Sequence, residues 1–292
     1  MRLATVKIEN EEIAAVVTAS GVITLKDLNR MKKSDWKDLF SLIKSGELEA
    51  LNKWYKEGGR EEIESMKRQL IPFEDVVYAP LYRHPSKIFG IGLNYADHAG
   101  DLAEKTPQGI PASFFKPDTT IAGHGDEIKI PLQSEKTTGE AELGVILGKD
   151  CENVAEENWL DYVAGFTTVI DMTAEDILRR NPRYLTYVKS FETFFSFGPQ
   201  LVTPDEVPDV SKLKVQTVLN GEVHAENTVS NMTFPPAFLV SFHSKAFKWK
   251  AGDILSTGTP RAAHIQNGDV IECRISGFED LKNPVTDKKI AG

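Results

Sequence analysis

Cysteine is scarce in this sequence, and the two cysteines that occur are far apart. Cys151 and Cys273 are the only ones among 292 residues, and they form no CxxC pair. A disulfide framework or a zinc–thiolate centre is therefore not expected. Two isolated thiols are typical of a protein from a reducing compartment.

Long hydrophobic runs are also missing. No apolar stretch approaches the roughly 18 residues that a membrane-spanning helix needs. The N-terminus, MRLATVKIENEE, alternates charged and apolar residues and lacks the hydrophobic centre of a signal peptide. We therefore expect a cytoplasmic protein with no membrane partner.

Positive charge is in the minority. The sequence has 34 Lys and Arg residues and 43 Asp and Glu residues, so its formal net charge is −9. The basic residues form no clustered stripe along the sequence. Nucleic acid is therefore not expected as a partner. A small anionic substrate stays possible, because a bound metal ion can set the local sign of a site.

The first 72 residues combine strand and helix signals. Residues 2–18 predict two short strands joined at Glu9–Glu11. Three helices should follow: one capped by Ser34 and ended by Gly46, one ended by Gly58–Gly59, and one from Arg60 to Leu70 that stops before Pro72. This region predicts a small α+β domain at 1–72.

From residue 73 onwards, prolines punctuate short apolar runs, which predicts short strands and loops. The regular strand–helix alternation of a doubly wound fold is absent. We therefore predict a β-rich catalytic domain at 73–292 and an α+β fold class for the whole chain.

Two glutamates lie two residues apart in the run GEAELGVILG. This run reads as a strand entering a buried sheet. Glu140 and Glu142 would then share one face at a spacing of about 6.6 Å. Burying two carboxylates together is costly unless a divalent cation lies between them. Exposure of both on an edge strand is an equally plausible interpretation of this pair alone.

A third carboxylate follows a similar apolar run. Val163–Ile170 predicts a strand that ends at Asp171, with Thr173 capping the next helix. A local capping role for Asp171 would be the simpler interpretation if this residue stood alone. Together with the two glutamates it makes an all-oxygen set, which suits magnesium, manganese or calcium better than zinc.

Possible acid–base and substrate groups surround these carboxylates in the sequence. On a short helix capped by Asn94, His98 and Asp101 would be three residues apart, so the carboxylate could orient the imidazole as a general base. A surface histidine is the competing interpretation. No GxGxxG fingerprint occurs, which argues against a dinucleotide site.

One lysine and one glycine-rich loop complete the candidate set. Lys189 lies among aromatic residues in YVKSFETFF, where it either runs along apolar surface or enters a pocket and stabilises an oxyanion. We favour the second, since it would balance three carboxylates. The loop Thr257–Pro260 could hold a substrate carboxylate, although such loops are often only tight turns.

Taken together, these segments resemble the fumarylacetoacetate hydrolase family. The matching segments, in family order between residues 87 and 283, are GLNYADHA, FFKP, GHGDEIKIP, GEAELGVILGK, GFTTVIDMTAED, KSFETF, the Asn220–Gly221 turn and AGDILSTGTP. The resemblance implies the mixed β-roll or sandwich fold of that family's C-terminal domain, usually as a homodimer that binds Mg²⁺ or Mn²⁺ and acts on 2-oxo or enol acids.

The resemblance also implies roles for individual residues. It assigns Glu140, Glu142 and Asp171 to the metal, His98, Asp101 and Lys189 to catalysis, and Lys116 and Thr259 to the substrate. Four features depart from the family pattern: Asp101 replaces a longer Glu, Glu175 replaces an Arg, Leu178 replaces a frequent Gln, and Arg261–Ala263 replaces a small Ser/Gly stretch.

Three functions are consistent with this resemblance. The first is a metal-dependent hydrolase of a C–C bond in a small 2-oxo acid such as an acylpyruvate. The second is a decarboxylase or isomerase of a 2-oxo or enol diacid at the same site. The third is a non-catalytic binder of 2-oxo acids, suggested by the negative charge that Glu175 brings towards the site.

Overall fold

The structure, a computed structural model, describes residues 1–95 and 109–290. Its strands are β1 (Arg2–Ile8), β2 (Glu11–Val17), β3 (Val22–Thr24), β4 (Ile88–Gly92), β5 (Ala112–Lys116), β6 (Ile121–Ala122), β7 (Ile128–Ile130), β8 (Thr137–Leu147), β9 (Val163–Ala174), β10 (Phe195–Val202), β11 (Lys214–Leu219), β12 (Glu222–Thr228), β13 (Ile254–Ser256), β14 (Ala263–Ile265), β15 (Val270–Ile275) and β16 (Leu281–Asp287).

Among the described residues, helices are fewer than strands. They are α1 (Leu25–Lys32), α2 (Leu39–Ser45), α3 (Glu47–Trp54), α4 (Arg60–Ser65), α5 (Glu175–Arg180), α6 (Leu185–Val188) and α7 (Pro236–Ser244), with a π-helical turn at Tyr55–Gly59 and 3₁₀ turns at Phe73–Asp75, Asp118–Thr120, Glu156–Tyr162, Pro204–Glu206, Val210–Lys212 and Val229–Asn231. Within the described ranges, no helix has the length and apolar character needed to cross a membrane.

Two mixed sheets dominate the fold, which confirms the strand-rich α+β class. The larger sheet has the order β3-β2-β1-β10-β9-β8-β13-β4-β5, with β14 added to β8 and β6 to β10. The smaller sheet has the order β12-β11-β15-β16-β7. Strand β1 pairs with β10, for example Leu3 with Leu201, so the N-terminal strands extend the larger sheet. The domain boundary at residue 72 stays a prediction.

The N-terminal helices differ from the expected ones at their ends. Helix α2 begins after Asp38, whose carboxylate accepts a hydrogen bond from the Ser41 amide at 2.8 Å. The expected cap, Ser34, instead donates its hydroxyl to Asn29 at 2.8 Å. Gly46 closes the same helix in a left-handed conformation, as predicted. Helix α4 ends at Ser65, five residues earlier than expected, because Met66 leaves the helical conformation.

The central strand β8 is buried on both faces, which explains its composition. Ala141, Leu143 and Val145 belong to the core shared with the smaller sheet. On the opposite face, Ile146 packs into the core beneath the N-terminal helices. Gly144 on that face is confined, since a Cβ there would approach Val169 Cγ2 to 2.8 Å. The two glutamates lie further along this second face.

Candidate metal centre

Antiparallel pairing of β8 with β9 brings three acidic side chains together. Glu140 lies opposite Asp171, and Glu142 lies opposite Val169. Because alternate residues share a face, all three carboxylates project to the same side of the sheet. One oxygen from each lies within 4.8 Å of the others, and all three residues are buried. We call these three residues the triad.

The sequence pattern placed Asp171 at the end of its strand, but in the structure the strand continues past it. Strand β9 continues through Thr173 to Ala174, because its pairing with β8 runs as far as Thr137. Thr173 is therefore a strand residue and not the cap of α5, and its hydroxyl donates to Glu140 Oε1 at 2.5 Å. The prediction of a helix cap at Thr173 is wrong.

Two buried lysines neutralise part of the triad's charge. Lys189 Nζ lies 3.0 Å from Glu140 Oε2 and 2.6 Å from Asp171 Oδ2. Burial opposes the charged form of Lys189, but Asp171 and Glu140 outweigh it and raise its pKa. Lys116 Nζ donates to the other oxygen of Asp171. Burial lowers the pKa of Lys116 to about 8, although Asp171 opposes this shift.

Glu142 has a different set of neighbours from the other two acids. Its Oε2 accepts hydrogen bonds from the Ser256 hydroxyl and, at 2.8 Å, from the Gly258 amide. Burial, and then the nearby Asp171 carboxylate, raise the pKa of Glu142 to about 8. Burial therefore favours the neutral form of this carboxyl group, and a divalent cation beside it would favour the ionised form.

The donor set therefore fits a hard divalent cation. With every group ionised, three carboxylates and two ammonium groups leave one net negative charge in a dry environment, which is costly without a counter-ion. All three acidic donors are oxygens, as magnesium, manganese and calcium prefer. The metal-ligand role of the triad stays a prediction.

The glycine-rich loop after β13 contacts the sheet rather than solvent. Thr257 donates its hydroxyl to the Leu143 carbonyl at 2.8 Å, and the buried Thr259 donates its hydroxyl to the Arg261 carbonyl at 3.2 Å. Asn94, expected as a helix cap, donates its side-chain amide to the carbonyls of Thr257 and Phe234. These bonds fix the loop beside Glu142, and the substrate-binding role of Thr259 stays a prediction.

The proposed His98–Asp101 pair lies outside the described residues. The contacts of Ser256 and Gly258 with Glu142 were missed by sequence reasoning, although both residues belong to the family-like segment AGDILSTGTP. Lys116 was predicted to bind substrate, and its contact with Asp171 was not foreseen. The only sequence signal for this contact was a lysine at the end of the apolar run ASFFK.

Glu175 does not present an isolated negative charge. Its carboxylate lies 3.1 Å from Lys136 Nζ and 2.6 Å from Arg179 Nε. We call these three residues the outer cluster. Its two cations outnumber its one anion, so the repulsion of an anionic substrate expected from Glu175 is offset, and the argument for a non-catalytic binder loses its main support.

Comparison with known proteins agrees with this geometry. The family model for the fumarylacetoacetate (FAA) hydrolase C-terminal domain matches residues 87–286. The chain belongs to this family. It is thus a family enzyme with a buried acidic triad, and the reactions named for its relatives are those of a hydrolase, a tautomerase and an isomerase.

Three relatives illustrate this range of reactions. The mitochondrial oxaloacetate tautomerase Fahd2a of Rattus norvegicus is 33% identical, over 74% of this chain and 71% of its own. Maleylpyruvate hydrolase from Sphingobium sp. SYK-6, solved with manganese(II) ion and pyruvate, is 26% identical with a TM-score of 0.77, over 98% of this chain and 99% of its own. The 2-hydroxyhepta-2,4-diene-1,7-dioate isomerase of Mycobacterium marinum is 30% identical with a TM-score of 0.67, over 75% of this chain and 81% of its own.

Proposed function

We propose that this enzyme hydrolyses a C–C bond in a small 2-oxo acid, of the acylpyruvate or fumarylacetoacetate type, with the help of Mg²⁺ or Mn²⁺. Ca²⁺ would also suit the oxygen donors. The observation that carries the proposal is the buried triad, whose oxygens lie within 4.8 Å of one another. The manganese and pyruvate in the solved hydrolase relative support it.

In this proposal Glu140, Glu142 and Asp171 hold the metal. When bound, a divalent cation supplies Lewis-acid stabilisation to the oxygen of a 2-oxo acid. The Lys189 ammonium, already held by Glu140 and Asp171, adds a fixed positive charge for a developing enolate oxygen. Lys116 and Thr259 would contact the substrate from the strand and loop beside the triad.

Water activation is assigned to His98. Asp101 would hold the imidazole in the tautomer that accepts a proton from water. The hydroxide so formed would attack the carbonyl carbon of the bond that breaks. That carbon would leave as a carboxylic acid, and the 2-oxo acid would leave as its enolate and take up the proton from the imidazolium. This step needs a histidine and its acid partner in addition to the metal ligands.

Tautomerisation or decarboxylation of a 2-oxo diacid is the second candidate. The rat relative is named an oxaloacetate tautomerase, and Asp101, one methylene shorter than the family's usual Glu, makes a weaker water-activating pair. Neither alternative reaction attacks with water. His98→Ala should therefore eliminate hydrolysis but leave decarboxylation partly intact.

A panel of acylpyruvates and oxaloacetate, assayed before and after removal of metal, tests the proposal. We expect turnover of at least one acylpyruvate that disappears with chelation and returns with Mn²⁺. Full turnover by the metal-free protein would contradict the proposed mechanism. The homodimer and the cytoplasmic location stay predictions, the first of which light scattering of the purified protein would check.

A further inference from the structure

The hydrogen-bonded edge of β8 is interrupted beside the triad. Strand β13 pairs with β8 up to Ser256, and β14 resumes the pairing at Ala263. The loop between them, residues 257–262, has six residues, whereas the facing part of β8, residues 140–143, has four. Because of the two extra residues, the loop cannot pair regularly with β8 along its length, as at a β-bulge. Two of the three triad acids lie in this part of β8.

Thr217, on strand β11 of the smaller sheet, bridges the interruption. Its hydroxyl accepts a hydrogen bond from the Ala141 amide at 3.3 Å and donates to the Arg261 carbonyl at 3.0 Å. The register of β14 on β8, continued for two residues, would place Arg261 opposite Ala141. In a regular antiparallel ladder, the Ala141 amide would donate directly to the Arg261 carbonyl. The Thr217 hydroxyl is thus inserted in place of that ladder bond.

Burial and a neighbouring thiol support a specific role for this hydroxyl. Thr217 is fully buried, and Val215, two residues earlier on the same face of β11, is apolar. A buried hydroxyl is costly unless it is hydrogen-bonded, and this one both donates and accepts. Cys273, which pairs with Thr217 across β11 and β15, donates its thiol to the Glu142 carbonyl at 3.6 Å. The smaller sheet therefore contacts the backbone of two consecutive residues, Ala141 and Glu142.

The Arg261 carbonyl links Thr217 to Thr259, the predicted substrate residue. This carbonyl accepts hydrogen bonds from both hydroxyls, at 3.0 Å from Thr217 and 3.2 Å from Thr259. Gly258, the residue before Thr259, donates its amide to Glu142 at 2.8 Å. Thr259 is thus held between two fixed points, one on the triad and one on the smaller sheet.

We propose that Thr217 is a positioning residue, whose hydroxyl keeps the 257–262 loop separated from β8 and thereby places Thr259 for the substrate carboxylate. The inference rests on the proposed function, in which Thr259 contacts the substrate. Without the hydroxyl, the Arg261 carbonyl would be free to close onto the Ala141 amide and complete the ladder, which would move Thr259 towards β8. Substrate affinity then depends on a residue that does not itself contact the substrate.

Calorimetric titration of the protein with pyruvate at saturating Mn²⁺ tests this role. Thr217→Val keeps the shape of the side chain and removes its hydroxyl, so we expect the Kd for pyruvate to rise about tenfold. Thr217→Ser keeps the hydroxyl and should stay within about twofold of the wild-type Kd. Since serine lacks the methyl group, recovery in Thr217→Ser would separate loss of the hydroxyl from loss of packing.

Thr5→Val is the matched control. Thr5 is also a buried strand residue, and its hydroxyl donates to the Leu81 carbonyl at 2.7 Å, but it lies on the N-terminal strand β1. This variant should leave the Kd for pyruvate within about twofold of wild type. If Thr217→Val does not fold, Thr217→Ala should weaken pyruvate binding to the same extent, because it leaves room for the ladder to close. In its crystal structure the Ala141 amide should donate directly to the Arg261 carbonyl.

A double-mutant cycle tests whether Thr217 acts through Thr259. Thr259→Ala removes the proposed substrate contact, so Thr217→Val should have no further effect on the Kd for pyruvate in that variant. Additive losses from the two substitutions would show that Thr217 acts by another route, and they would overturn the inference.

The proposed function and this inference fail by different results. An unchanged Kd for pyruvate in the Thr217→Val and Thr217→Ala variants, or an equal loss in Thr217→Ser, would overturn the positioning role while the proposed function stands. Failure of the wild-type protein to bind pyruvate at saturating Mn²⁺ would overturn the proposed function together with the inference that rests on it.

Discussion

The outer cluster lies just beyond the ends of β8 and β9, the two strands that carry the triad. The two groups of charges differ in burial and in net charge. Around the triad, five ionisable groups are buried, and with all of them ionised they would carry one net negative charge. In the outer cluster, one buried anion holds two half-exposed cations. Burial makes the first arrangement costly without a cation, whereas solvent makes the second inexpensive. The difference supports the proposed cation at the triad.

The largest expected effect is on metal affinity. Glu142→Gln removes one ligand charge from the triad while it preserves the side chain's shape, so we expect the Kd for Mn²⁺ to rise by more than about 100-fold. Calorimetry would measure this change. Glu272→Gln is the control, because Glu272 is also buried on a strand but pairs with Arg274 and Lys282 away from the triad. Near-wild-type affinity in Glu142→Gln would contradict the assignment of Glu142 as a ligand.

The second-largest effect is expected on stability, when a buried lysine is removed. Lys189→Met leaves Glu140 and Asp171 without their shared partner, so the metal-free protein should lose about 3 kcal/mol of unfolding free energy. Mn²⁺ should restore more stability to this variant than to the wild-type protein in urea unfolding. Lys87→Met breaks the buried bridge to Asp253 (2.6 Å) outside the site, and Mn²⁺ should stabilise it only as much as wild type. Equal responses of the two variants would argue against a cation site at the triad.

A pH dependence follows from Glu142. Its folded-state pKa of about 8 lies above the ordinary 4.5, mainly because of burial. The group therefore stabilises the fold below about pH 4.5 and loses that contribution as the pH rises through about 8, by up to about 1.4 kcal/mol per pH unit. The wild-type protein without metal should lose stability relative to Glu142→Gln between about pH 5 and 7. Parallel curves of unfolding free energy against pH for the two proteins would refute the raised pKa of Glu142.

The smallest effect is expected in the outer cluster. Arg179→Met alters a half-exposed pair, so it should change the unfolding free energy by less than about 1 kcal/mol. Its Kd for Mn²⁺ should stay within about twofold of wild type, because Arg179 contacts Glu175 and no member of the triad. A large loss of metal affinity in this variant would show that the two clusters are not independent.

Local patterns in the sequence predicted the strands that carry the triad, since alternation and apolar runs are local signals. The register between two paired strands, in contrast, depends on residues that are far apart along the chain. Nothing near Thr173 indicates that pairing with β8 extends its strand to Ala174, so it resembled a helix cap. The partner of Glu175, Lys136, is 39 residues away along the chain. Charge signs could be read from the sequence, whereas the pairing that decides their effect could not.

Anomalous diffraction from crystals soaked with Mn²⁺ and oxalate tests the central claim most directly. We predict a manganese peak about 2 to 2.5 Å from one oxygen each of Glu140, Glu142 and Asp171. Lys189 should remain beside Glu140 and Asp171. Absence of a peak, with the ammonium groups of Lys116 and Lys189 filling the space between the three carboxylates, would contradict the account.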